Sequence, residues 1–175
     1  RTRRNRPSLK KRTGGGALPE TSAPETPADW RAAAQAVDAG ELTGDNFKPQ
    51  GSGTQVEPYS IATPEAFAWW ALLHPDAHAT LASDIDLTAR TNADGEPLPW
   101  PGDSTLAATL DGAGHSVSFV TEDAGLFAEV AQSGTAQWLY LGEPLDAAKR
   151  PSKVASAETL AGALAGTNKG AVQGV

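Results

Sequence analysis

The chain has no cysteine and no methionine in 175 residues. The first absence excludes disulfides, thiolate nucleophiles and cysteine-ligated metals. It leaves the compartment open, because an exported protein stabilised by repetition also needs no bridges. The second means that Arg1 is not a natural start, so an internal fragment of something longer is expected. No run of about 18 apolar residues occurs, so no segment has the length of a membrane-spanning helix. Phosphate-cradle, Gly-x-Ser-x-Gly and dinucleotide signatures are missing too. Gly14 to Gly16 follow a basic run but do not join a strand to a helix.

Acids are lacking from residues 1 to 12, RTRRNRPSLKKR, which hold seven of the 14 basic side chains. The rest carries seven bases against 21 acids, a formal charge of −14 within an overall −7. A basic arm thus precedes an acidic body. Such an arm can attract nucleic acid, anionic lipid or a wall polyanion. No aromatic residue interleaves with it to stack bases, which argues for a solvated tail and against nucleic acid.

Residues 13 to 29, TGGGALPETSAPETPAD, have linker composition, so residues 1 to 29 are expected to form a disordered leader. LPETS within it resembles a cell-wall sorting signal but lacks the glycine after Thr21, the apolar segment and the basic tail. Residues 30 to 58 read as a weakly apolar helix, with Trp30, Ala33, Ala34 and Val37 at helical spacing and Gly40 as its stop, followed by a loop. IATPEAFAWWALLHPDA has sharper signals. Thr63 suits the cap, Pro64 the first helical position, Glu65 the positive end, and Pro75 a stop. Its apolar residues cover most of the circumference, so this helix must pack on something.

Beyond it, HATLASDIDLT alternates as a strand, with a shift of register near Asp84. Thr109 to Val120, Ala124 to Val130 and Thr135 to Leu141 follow as short strands separated by glycine-rich turns, without helices between them. This is an all-β repeat, sandwich or solenoid pattern. AGLFAEVAQSGTAQWLYL (124–141) and AGALAGTNKGAVQGV (161–175) echo one another, Gly125 answering Gly162 and Gly134 answering Gly170. Units this short cannot bury an apolar side alone and need stacked neighbours.

Four groups of residues invite chemistry. Asp111-Gly112-Ala113-Gly114-His115 reads as a hairpin or corner, with His115 held by hydrogen bonds, since a catalytic histidine needs a nucleophile and an orienting acid in reach. Asp84 and Asp86 project from one strand face, about 6.6 to 7 Å apart. That pattern serves calcium or a pair of catalytic carboxylates, but the other oxygens calcium requires are not visible, which favours a polar strand face. His74 and His78 imitate a zinc pair, but Pro75 breaks the helix that would align them and the companion glutamate is absent. Trp69, Trp70 and Trp100 suit core anchoring better than a sugar platform, although one of the two adjacent indoles must turn away from the deepest contact. No catalytic residue, metal ligand or cofactor site is therefore assigned.

Taken in order, IATPEAFAWWALL, ATLASDIDLT, Trp100-Pro101-Gly102, ATLDGAGHSVSF, AGLFAEV and GALAGTNKGAV resemble the layout of GLUG-motif repeat proteins over about residues 51 to 175. Three departures are Ala108 before Thr109, Glu129 after Phe127-Ala128, and the bare Pro-Gly after Trp100. The resemblance implies a mainly β fold. It would be a right-handed parallel β-solenoid over residues 59 to 175 with a short flanking or capping α-helix, truncated at its C-terminal end. It also implies a bacterial secreted or wall-associated protein in which these motifs are structural, found beside adhesin modules or IgA-specific metallopeptidases. The expected role is a non-catalytic scaffold or adhesive module engaging a host or cell-surface protein or glycan. The alternatives are an accessory domain of a larger secreted peptidase or polysaccharide-degrading enzyme, and polyanion binding through residues 1 to 12.

Overall fold

A computed structural model describes residues 27–42, 47–121, 125–142 and 163–175. The leader through residue 26, and with it the basic arm, lies outside the described residues. Among the described residues, helices α1 (Trp30–Asp38) and α2 (Pro64–Leu73) accompany eleven short strands. Asp29, at the end of the linker-like stretch, caps α1 by accepting the Ala32 N–H at 2.7 Å. Thr63 caps α2 by accepting the Ala66 N–H at 3.2 Å, with Pro64 at the first helical position. α2 buries Ala66 through Leu72 without a break, as its apolar circumference requires. α1 buries Trp30, Ala33, Ala34 and Val37 and packs against it.

The strands are β1 (Tyr59–Ile61), β2 (Ala79–Leu81), β3 (Ile85–Asp86), β4 (Thr105–Leu106), β5 (Thr109–Asp111), β6 (Ser116–Ser118), β7 (Phe127–Val130), β8 (Thr135–Gln137), β9 (Tyr140–Leu141), β10 (Ala165–Asn168) and β11 (Ala171–Gln173). They form three sheets, ordered β1-β2-β5-β8-β11, β10-β7-β4 and β3-β6-β9, and every strand pair is parallel. From β4 onward the chain visits the three sheets in a fixed rotation and returns to each one strand further along. α2 lies between β1 and β2. Just past its end the Pro75 carbonyl accepts the Ala107 N–H at 3.0 Å, next to the end of β4.

This arrangement refines three expectations. HATLASDIDLT is two strands in different sheets, and the discontinuity at Asp84 is a corner between them rather than a slipped register. Thr135 to Leu141 is likewise divided, at Trp138, into β8 and β9. The echo between 124–141 and 161–175 is a physical stacking: Thr135 pairs with Ala171 and Gln137 with Gln173. In the preceding strands Phe127 pairs with Ala165, one residue on from the sequence match. Gly162 lies outside the described residues.

Alternation sends Leu110, Ala136 and Ala79 to one side of the five-stranded sheet and Thr80, Asp111 and Gln137 to the other. Leu106, Val130, Ile85 and Val117 are buried from the other two sheets, and with α1 and α2 they form one hydrophobic cluster. Phe67 and Trp70 of α2 meet at 5.7 Å between ring centroids, and Trp70 reaches Phe127 of β7 at 6.1 Å. Each such side chain taken from water contributes about 1.5 to 3 kcal/mol.

Candidate functional site

The Asp111 to His115 segment is a corner, joining β5 to β6 across two parallel sheets. Asp111 Oδ1 accepts the Ala113 N–H at 2.9 Å, the local bond that makes aspartate a turn residue. Gly112 is required for closeness: a Cβ there would lie 2.5 Å from the Trp138 carbonyl oxygen. Gly114 is required for conformation, with φ at +83°, and Ala113 beside it is also left-handed at +50°.

His115 meets an acid across the corner. Its Nδ1 lies 3.3 Å from Asp84 Oδ1, the same oxygen that accepts the Ser116 N–H at 2.8 Å. This carboxylate, imidazole and serine are close in space, yet Ser116 offers its backbone and not its hydroxyl. Its Oγ is buried and makes no hydrogen bond to the imidazole. Asp86 is committed separately, accepting from the Thr88 N–H at 2.9 Å, the Thr88 hydroxyl at 2.6 Å and the Ser118 hydroxyl at 3.3 Å. Among the described residues, no group of three or more His, Asp or Glu side chains is arranged to hold a metal.

The two other histidines part company after Pro75. The His74 ring lies against Trp69 at 4.2 Å between centroids, with its Nε2 3.9 Å from Asp38. His78 accepts the Thr109 N–H on Nδ1 at 3.2 Å, which places the proton of its neutral ring on Nε2. Asp38 is held below the ordinary carboxylate range chiefly by the Trp69 indole N–H at 3.0 Å. Partial desolvation works against it, and the neighbouring His74 and Lys48 lower it further.

Trp69, Trp70 and Trp100 are all buried, so neither of the adjacent indoles turns outward. Trp70 donates to the Ala77 carbonyl and Trp100 to the Leu126 carbonyl, both at 2.7 Å. Helix α2 has no free side, because α1 and Tyr59 cover Trp69 while Phe127 covers Trp70. The exposed tryptophan is Trp138, 58 % accessible, which sequence reasoning placed inside a strand. Its signal was the small residue that follows it one repeat later: Gln137-Trp138 is answered by Gln173-Gly174.

The outward face of the five-stranded sheet is polar. Ser60, Thr80, Asp111, Gln137 and Gln173 form one in-register row across all five strands. Gln137 Nε2 donates to Asp111 Oδ2 at 3.0 Å. Beside that row lies a cleft of about 380 Å³, lined among others by Gln55, His78, Thr109 and Thr135. These groups offer hydrogen-bond donors and acceptors side by side. No helix among the described residues is long and apolar enough to cross a membrane. Comparison with family models, with curated proteins and with solved structures gives no match to this chain.

Proposed function

We propose that the three parallel sheets are the faces of one right-handed β-solenoid, and that the chain is a non-catalytic structural and adhesive module of a bacterial secreted or wall-associated protein. The GLUG resemblance supplies the location, and α2 is then the flanking helix that fills the first turn. The observation that carries this reading is the fixed rotation of the chain through the sheets, with apolar side chains on one side of each strand and an in-register polar row on the other. Stacking of this kind builds a stiff body with a broad flat face, a geometry suited to presentation and adhesion. The host or cell-surface partner would be met on that face.

Beads coated with the full chain should be retained on bacterial wall preparations or host-cell surfaces, without release of reducing sugar ends or new peptide termini in the same incubation. Retention on none of these surfaces would contradict the adhesive role. Release of cleaved product would place the chain with secreted hydrolases instead.

A further inference from the structure

We propose that the margin of the five-stranded sheet formed by Trp138, Gln137, Asp111 and Gln173 binds a neutral glycan of gluco-configured, equatorially linked pyranose units. This deepens the adhesive reading and rests on it. Of the five tryptophans, Trp30, Trp69, Trp70 and Trp100 are at most 3 % exposed, whereas Trp138 is 58 % exposed. Its backbone sits at φ +51°, a left-handed conformation that a bulky side chain disfavours. A strained, exposed aromatic at a corner that glycine or asparagine would occupy without strain points to a use for the ring.

The ring is also held in place. A Cβ on Gly174 would lie 2.6 Å from Trp138 Cε3, so the next corner lacks a side chain where the indole rests. The Trp138 N–H donates to the Gln173 carbonyl at 2.9 Å, fixing the backbone beneath it. An indole that rests against Gly174 and stays 58 % exposed offers a flat apolar surface to a ligand.

Polar groups adjoin it at the right scale. Trp138 lies one residue beyond Gln137, and Asp111, Gln137 and Gln173 occupy adjacent parallel strands about 4.8 Å apart. A pyranose with equatorial substituents presents C–H groups to an indole face and hydroxyls around its rim. The Asp111 carboxylate accepts from hydroxyls, while the glutamine amides both donate and accept. Charge selects among sugars: the overall −7 and the Asp111 carboxylate disfavour uronic or sialic acids.

The test is calorimetric titration of the full chain with cellohexaose and with chitohexaose. Saturable binding of at least one is expected, falling about tenfold or more in Trp138→Asn and also weakened in Gln137→Ala. Asparagine suits the left-handed backbone, so the Trp138→Asn melting transition should stay near wild type and separate loss of binding from loss of fold. Absence of binding to both sugars at millimolar concentration would overturn the proposal, as would equal binding by Trp138→Asn. Retention of Trp138→Asn-coated beads on surfaces would remove this site while leaving the adhesive reading in place.

Discussion

Gly134 and Gly170 show how single residues set the spacing of neighbouring turns. A Cβ on Gly134 would lie 2.3 Å from the Leu106 carbonyl oxygen, and one on Gly170 equally near the carbonyls of Ala131 and Gly134. Backbone cannot yield there as a flexible side chain would, so Gly134→Ala should cost about 2 to 3 kcal/mol in a denaturant melt. Gly95→Ala meets open space at φ +83° and should cost only about 1 kcal/mol. Equal losses would show that the close stacking is not real. Ser116 works the other way: its buried hydroxyl has no partner, so Ser116→Ala should raise stability by about 1 kcal/mol, and a loss would mean the hydroxyl is satisfied. Asp38 makes a pH prediction. Its folded-state value is depressed below 3.8, so its contribution is present above that pH and fades as pH falls through the depressed value. Trp69 fluorescence should report that step below pH 3.8, and Asp38→Asn should abolish it. At this scale the sequence was readable where a residue type has one use. Asp111 and Gly114 announced the corner, whereas the exposure of Trp138 depends on Gly174, 36 positions away.

At the scale of elements, α2 was legible because its signals are local. Thr63 caps it, Pro64 starts it, and continuous apolar character buries it against α1 on one side and Phe127 on another. Thr63→Ala should cost about 1 kcal/mol, read from the thermal transition, and no loss would mean that packing alone holds the first turn. Phe67→Ala removes a ring that touches both Trp70 and Trp100 and should cost about 3 to 5 kcal/mol. The strands were less legible. Two to four residues carry too short an alternation to show where one sheet ends, so Thr135 to Leu141 reads as continuous although the backbone turns at Trp138. Asp84 stands at the corner before β3 and Asp86 within it, and the partners they meet across the turn, His115 with Ser116 and Ser118, come from a strand about 32 residues later, beyond the reach of a local alternation.

For the whole molecule, the echo of 124–141 in 161–175 carried the architecture, since two stretches with the same glycines fold alike and stack. What it could not carry was α2, because that helix has no counterpart in the repeat. The absence of cysteine makes the architecture testable with paired substitutions. The account depends on β5 and β8 running parallel, Thr109 beside Thr135. Parallel pairing places those two Cα atoms about 4.8 Å apart, within disulfide reach, and puts Thr109 and Gln137 more than about 7 Å apart, beyond it. Antiparallel pairing centred on Leu110 and Ala136 would reverse the two. Oxidation of Thr109→Cys/Thr135→Cys and Thr109→Cys/Gln137→Cys, followed by mass analysis, is therefore the most direct test. The account predicts an intramolecular disulfide in the first variant and free thiols in the second, and the opposite result would contradict it.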